Sequence, residues 1–242
     1  DVDACRRRGI PVGNTPGVLV EATADLAFGL LLCAARRIHE GWDFVRAGKW
    51  QPDKPIIPYG IDLSGRILGI VGMGRIGVAV ARRAKAFNMD VIYHNRNPRK
   101  DDLEIGTRYC SLDDLLVESD AIIVLTPFTP ETKGLFGKTE FEKMKDSAIF
   151  VNVARGAVVQ TDALTEALQL GNIAYAALDV TDPEPLPPDH PLLNAPNILI
   201  TPHIGSFTER TRNDMAMMTI DNMLAGLFGN KMPACVNPEV GN

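Results

Sequence analysis

Three ionisable residues sit just past apolar, strand-like runs, and their types suit one kind of chemistry. Arg155 follows Val151-Asn152-Val153-Ala154 and precedes Gly156. Glu184 lies in Leu178-Asp179-Val180-Thr181-Asp182-Pro183-Glu184-Pro185, and His203 in Ile200-Thr201-Pro202-His203-Ile204-Gly205-Ser206. An arginine presents a planar fork that grips a carboxylate and polarises a neighbouring carbonyl. Histidine is the side chain whose ordinary pKa lies closest to neutrality, so it can donate a proton at working pH. A carboxylate beside the imidazole holds it in place and favours its charged form. Together the three meet the demands of reducing a 2-keto acid, which needs a cation for the substrate carboxylate and a proton for the developing alkoxide. Singly, each has a commoner structural use as an ion-pair partner, a solvated acid or a core histidine. The other histidines fit less well: His39 is expected to end a helix, His94 sits in a strand, and His190 lies in the loop Pro187-Pro188-Asp189-His190-Pro191.

Such a reduction also needs a hydride donor. The apolar run Ile67–Val71 feeds into Gly72-Met73-Gly74-Arg75-Ile76-Gly77, and a helical pattern follows through Val78, Val80, Ala81, Ala84 and Phe87. Strand, glycine turn and helix in this order are the context that a dinucleotide fingerprint requires. Gly72 permits the tight turn, Gly74 lets the backbone approach a pyrophosphate, and Gly77 lets the helix pack on the strand. The helix N-terminus offers free N–H groups to the phosphates. NAD sites usually carry an acid after the second strand, whereas NADP sites tolerate an arginine there. Here that strand ends in Tyr93-His94-Asn95-Arg96-Asn97-Pro98-Arg99-Lys100, with no carboxylate until Asp101. Asn95 and Arg96 are the cofactor candidates at this position. Arg96, Arg99 and Lys100 would all welcome a 2′-phosphate, with Arg96 best placed, so NADP(H) is the expected cofactor.

These residues need a scaffold that brings strand ends together. From residue 67 the chain alternates strand-like runs (Ile67–Val71, Asp90–His94, Ala121–Leu125, Ala148–Asn152, Ala174–Leu178, Asn197–Thr201) with helical patterns at 75–87, 111–117, 138–144 and 161–170. Residues 179–196 form a proline-rich loop instead. Several strand cores are continuous apolar runs, as in a parallel sheet covered on both faces. The expected fold is α/β, a doubly wound parallel sheet of Rossmann type, with its ligand at the carboxyl ends of the strands. Upstream, Asp1–Arg8 reads as the end of a helix and Ile10-Pro11-Val12 as a short strand. One long helical stretch is expected after Thr15-Pro16-Gly17, running to about residue 49, with Arg36, Arg37 and His39 near its end. It is more apolar than one buried face needs, so core packing and a subunit contact both remain open. Residues 48–65, interrupted by Gly48, Pro52, Pro55, Pro58 and Gly60, read as loop. A last helical pattern runs through Met217, Met218, Met223, Leu224 and Leu227.

Composition narrows the function. The 242 residues are 45% hydrophobic and carry a formal charge of −5, which argues against general nucleic-acid binding. No apolar run approaches the ~20 residues of a membrane helix. Cys5, Cys33, Cys110 and Cys235 are scattered, with no CxxC or Cys/His spacing, so neither a disulfide framework nor a metal site is expected. A reducing, cytoplasmic compartment is the default. No Tyr-x-x-x-Lys follows any of the four tyrosines, which argues against a short-chain dehydrogenase mechanism.

The sequence resembles the D-isomer-specific 2-hydroxyacid dehydrogenases over nearly its whole length. The resemblance rests on the glycine fingerprint at 72–77, Asn152-Val153-Ala154-Arg155-Gly156, Leu178-Asp179-Val180 with Glu184-Pro185, and Pro202-His203-Ile204-Gly205-Ser206. Within the family it is similar to the glyoxylate/hydroxypyruvate reductases. The resemblance implies Arg155, Glu184 and His203 as the catalytic set, with His203 the proton donor. It implies Arg75 and Ile76 at the pyrophosphate and Arg96 at the 2′-phosphate, with Thr126, Val153, Asp179 and Gly205 lining the nicotinamide half. It also implies a homodimer built through an arm near residues 16–58, and a small 2-keto or 2-hydroxy acid as partner, with no nucleic acid or membrane.

In family members a substrate-binding domain precedes the counterpart of Asp1. Residues 1–14 are therefore expected to end that domain, 15–205 to form the cofactor domain, and 206–242 to return to the first. The substrate loop of that domain would lie upstream, so a catalytically impaired fragment is a competing reading. A cofactor-sensing protein of the corepressor type is another. Its relatives, however, resemble NAD binders with an acid after the second strand and a long tail. Phe207 stands where relatives generally carry a small residue, and would crowd the site mouth or fill a gap.

Overall fold

The structure, a computed structural model, describes residues 1–54 and 57–240. Pro55, part of the expected loop and arm, and the last two residues of the expected C-terminal return lie outside the described residues. The chain divides into two compact units, Thr23–Gly205 and Asp1–Ala22 with Ser206–Asn242.

In the larger unit, β1 (Ile67–Val71), β2 (Asp90–His94), β3 (Arg108–Tyr109), β4 (Ala121–Val124), β5 (Ile149–Asn152), β6 (Tyr175–Leu178) and β7 (Ile198–Ile200) form one sheet in the order β3-β2-β1-β4-β5-β6-β7. Every pairing is parallel. β4, β5 and β6 are buried along their whole length, which is why their sequences are continuous apolar runs, broken only by Asn152 at the end of β5. Helices α4 (Arg75–Ala86), α6 (Leu112–Glu118), α7 (Lys138–Lys143) and α8 (Thr161–Leu170) fall in the expected intervals. Local chemistry ends them: Ser111 caps α6 by accepting the Asp114 N–H at 3.1 Å, and Gly171, at φ +74°, closes α8. The core between sheet and helices is anchored by Phe136, Phe141 and Phe150, all fully buried, with ring centroids 4.9–6.2 Å apart.

The structure corrects two expectations for residues 15–49. The stretch expected as one helix is two, α2 (Val20–Ala35) and α3 (Ile38–Arg46). Arg37 lies between them at φ +52° and breaks the ladder, its guanidinium pairing with Glu40 at 2.5 Å and reaching Asn197 Oδ1 at 3.3 Å. His39 therefore opens a helix rather than ending one. A strand, β3, and a short helix, α5 (Asp102–Ile105), lie in the interval after β2 that carried no expectation. Two residues cannot show a periodicity, so β3 leaves no pattern to read.

In the smaller unit, α1 (Val2–Arg7) and α9 (Glu209–Leu227) bear out the helical patterns at both ends of the chain. Ile10–Val12 is not a strand; an isolated bridge joins Gly13 and Cys235 instead. Pro11 has no N–H, and the neighbouring groups are met by a side chain. Asn237, fully buried, accepts the Val12 N–H at 2.7 Å and donates to the Ile10 carbonyl at 2.9 Å. Buried Asn222 does the same for Ala234 N–H and Asn14 carbonyl, both at 2.9 Å.

Candidate active site

The strand order reverses between β1 and β4, and an open parallel sheet leaves a crevice for ligand at that switch point. The glycine turn fills its floor. Gly72 follows β1 at φ +103°, and a Cβ there would lie 2.6 Å from the Thr126 amide nitrogen just past β4. Only glycine allows both the backbone angle and this approach. A Cβ on Gly77 would lie 2.8 Å from the Gly72 carbonyl oxygen, so Gly77 permits α4 to sit against the turn, whereas Gly74 faces open space. The N–H groups of Arg75, Ile76 and Gly77 belong to the first turn of a 12-residue helix and lack intrahelical acceptors. This cradle fits a pyrophosphate: its donors are backbone N–H groups at a helix N-terminus, and no side chain fills the space above Gly74.

A cleft of about 470 Å³ runs from this turn, lined by Gly72, Gly74, Asn95, Arg96, Thr126 and Glu131 among others. Arg96 is exposed in it. Asn95 is tied to the turn, its Oδ1 accepting the Met73 N–H at 2.7 Å. Arg99 is already committed, with Nε and Nη2 on the two Asp101 carboxylate oxygens at 2.8 and 2.6 Å and Nη1 on the Met73 carbonyl at 3.1 Å. Of the cations after β2, Arg96 is the one that lines the cleft.

The three candidate catalytic residues all stand beyond carboxyl ends of strands in the same unit. Past β5, fully buried Asn152 shapes the turn that carries Arg155: its Oδ1 accepts the Ala154 N–H at 3.0 Å and its Nδ2 donates to the Arg155 carbonyl at 3.1 Å. The Arg155 guanidinium touches only its own neighbouring carbonyl, Ala154 O at 2.6 Å, and has no carboxylate partner among the described residues. Past β6 the chain runs through the Asp179–Pro185 loop. Thr161 Oγ1 ties this loop to α8 by donating to the Asp182 carbonyl at 2.7 Å. The Thr181 N–H lies 3.4 Å from Glu184 Oε2. Past β7, His203 adopts φ +55°, a conformation costing a non-glycine residue about 1 kcal/mol or more.

Buried Asp179 holds that turn. Its carboxylate accepts from Thr201 Oγ1 at 2.6 Å and from the Ile204 and Gly205 N–H groups, each at 2.8 Å. Its carbonyl accepts the His203 N–H at 2.9 Å. The result brings His203 Nδ1 to 2.5 Å from Glu184 Oε1. With Nδ1 on the carboxylate, Nε2 is the ring nitrogen left to exchange a proton with a ligand.

Two of the other histidines hold structural posts. His94 Nδ1 lies 3.0 Å from the Cys110 carbonyl, and His190 accepts the Leu192 N–H at 3.1 Å. Asn152 and Arg99 were not singled out for the roles they occupy. A short amide at a strand end just before a turn is the signal for the first. The second had none beyond the Arg-x-Asp spacing. Among the described residues no group of three or more His, Cys, Asp or Glu is arranged to hold a metal.

A parallel sheet with this switch point and glycine turn defines a dinucleotide-binding domain. The family model for the NAD-binding domain of D-isomer specific 2-hydroxyacid dehydrogenases matches residues 28–205, and the chain belongs to that family. It is an oxidoreductase domain that takes a nicotinamide cofactor. A glyoxylate reductase of Aeropyrum pernix is 48% identical over 245 residues, covering 99% of this chain and 73% of its own. A solved protein of Thermus thermophilus superposes with a TM-score of 0.92 at 51% identity, covering 98% of this chain and 74% of its own. The NADPH-dependent glyoxylate/hydroxypyruvate reductase of Sinorhizobium meliloti, solved in complex with NADP and malonate, gives a TM-score of 0.91 at 36% identity and covers 100% of this chain and 75% of its own.

Proposed function

We propose that this chain reduces a small 2-keto acid, glyoxylate or hydroxypyruvate, to the 2-hydroxy acid, using NADPH. The observation that carries the reading is the His203–Glu184 pair at 2.5 Å, standing at the sheet edge that also carries a carboxylate-free Arg155. The reduced nicotinamide, when bound, supplies the hydride. Arg155 grips the substrate carboxylate through its guanidinium fork and draws electron density from the adjacent carbonyl. His203 enters protonated and gives the Nε2 proton to the carbonyl oxygen as it becomes an alkoxide. Glu184 keeps the ring oriented and offsets its charge before the transfer. The N–H groups of Arg75, Ile76 and Gly77 hold the pyrophosphate above the turn that Gly72 and Gly74 shape, and Thr126, Val153, Asp179 and Gly205 line the nicotinamide end.

The preference for the phosphorylated cofactor is supported by Arg96 in the cleft and by the fate of the first acid after β2, Asp101, which Arg99 occupies on both oxygens. A homodimer is supported by α3, where Ile38, Trp42 and Val45 form an exposed apolar stripe at helical spacing. Residues 1–14 and 206–242 are assigned to the substrate-binding domain, supported by their grouping in one compact unit. A cytoplasmic setting is supported by four free cysteines. Among the described residues no helix is long and apolar enough to cross a membrane.

The test is cofactor oxidation with glyoxylate, hydroxypyruvate and pyruvate, each with NADPH and NADH. Turnover of the first two, faster with NADPH, is expected. Turnover with NADH alone would overturn the cofactor assignment, and turnover of pyruvate alone would overturn the substrate.

A further inference from the structure

The cleft contains a second device that the cofactor fingerprint does not include. Met73, the central residue of the Gly72-Met73-Gly74 turn, has both backbone polar groups tied to the basic loop after β2. Its N–H goes to Asn95 Oδ1 at 2.7 Å and its carbonyl to Arg99 Nη1 at 3.1 Å. The loop is braced in turn. Tyr93, fully buried, accepts the Arg99 N–H on its phenolic oxygen at 2.7 Å, and Asp101 holds the guanidinium with both oxygens. Burial pushes the Tyr93 phenol up, so the strut stays neutral through the working range. The Gly74 N–H is taken by the Gly72 carbonyl at 2.9 Å. A pyrophosphate is thus left the N–H groups of Arg75, Ile76 and Gly77, and their direction depends on how the peptide planes around Met73 are set.

We propose that Arg99 is a positioning residue for the pyrophosphate turn and not a ligand of the 2′-phosphate. Its five donors sit in a fixed fork. Two of its three nitrogens face Asp101 and the third faces Met73, so the arginine spans the basic loop and the glycine turn. The residue therefore acts on NADPH and NADH alike, whereas Arg96 acts on NADPH alone. This division rests on the nicotinamide-cofactor reading above, but it concerns both cofactors and so can be judged whichever one the protein prefers.

The test is equilibrium binding by fluorescence titration of NADPH, NADH and adenosine 2′-monophosphate, which carries the 2′-phosphate without a pyrophosphate. The proteins compared are the unchanged chain, Arg99→Lys, Arg99→Gln and Arg96→Gln. Arg99→Lys keeps the charge and loses the fork. Both Arg99 variants are expected to weaken NADPH and NADH by the same factor, about tenfold, and to leave adenosine 2′-monophosphate unchanged. Arg96→Gln is expected to weaken NADPH and adenosine 2′-monophosphate and to spare NADH. The assignment is overturned if Arg99→Lys binds both dinucleotides as well as the unchanged chain does. It is equally overturned if the Arg99 variants lose adenosine 2′-monophosphate, or NADPH selectively. An unchanged chain that prefers NADH would contradict the NADPH reading and leave the equal-factor expectation for Arg99 standing to be scored.

Discussion

Gly156→Ala should cripple the reaction without touching the cofactor cradle. Gly156 is buried directly after Arg155, and a Cβ added there would lie 2.6 Å from the Asp182 amide nitrogen and closer still to the Thr181 carbonyl. Heavy atoms settle ~3.5 Å apart, so the two backbones must separate by at least about 1 Å for the Asp182 nitrogen, and by more for the Thr181 carbonyl. Neither can retreat freely. The Arg155 side is pinned by the Asn152 carboxamide, and the other by the Thr161 hydroxyl on the Asp182 carbonyl. The displaced segment leads within two residues to Glu184, so both the clamp and the histidine's partner shift. Overpacking of this kind costs about 1–3 kcal/mol, which for a chain of this length lowers Tm by roughly 2–12 °C. A misplacement of ~1 Å at a reacting group costs about a hundredfold in rate. The assay is kcat/KM for glyoxylate beside NADPH affinity by fluorescence, both well below Tm. The expected result is a loss near a hundredfold with cofactor affinity within a factor of about two. Unchanged kcat/KM would refute the claim that Gly156 sets the spacing between the two loops.

Two further changes probe the scaffold and the cleft. Asp120 accepts the Ile67 N–H at 2.8 Å and pairs with Lys145 at 3.0 Å. Burial pushes its carboxyl up, but the Ile67 N–H and the Lys145 and Arg66 charges outweigh this and hold it below the ordinary 3.8. Its contribution is therefore complete above that value and is lost as pH falls through the lower folded-state value. Asp120→Asn should cost about 1–2 kcal/mol at neutral pH by urea unfolding, and the two proteins should converge in acid; a gap that widens in acid would contradict the sign. Glu131 lines the same cleft as Arg96. The Thr129 hydroxyl, its own N–H and the Arg96 charge hold its carboxyl below the usual range, so it stays negative beside any 2′-phosphate. Glu131→Gln should strengthen NADPH binding roughly threefold at low salt and leave NADH unchanged. An equal gain for both cofactors would place its effect elsewhere.

The sheet was legible because parallel strands buried on both faces are written as uninterrupted apolar runs, as in Ala121–Val124 and the first three residues of β5. The glycine turn was legible because sterics leave no other residue at Gly72. Arg155, Glu184 and His203 could be gathered in advance because the carboxyl ends of parallel strands share one edge. What sequence could not convey was which polar groups were already spoken for. Arg99 and Arg96 look alike in a basic loop, yet one is enclosed by Asp101 and Met73 while the other opens on the cleft. The left-handed turn at His203 was hidden because its cause, the Asp179 carboxylate, stands at the end of the preceding strand, far away in sequence. The break at Arg37 was hidden in the same way, since one of its partners is Asn197.

The central claim, that His203 is the proton donor and Glu184 its partner, is tested most directly by single-turnover oxidation of bound NADPH with glyoxylate in His203→Gln. Glutamine preserves a hydrogen-bond donor of similar reach but cannot release a proton. The account predicts a rate at least about a hundredfold below that of the unchanged chain, general acid catalysis being worth about 10²–10⁴, with NADPH affinity retained. A variant that turns over within a factor of about two of the unchanged chain would contradict it.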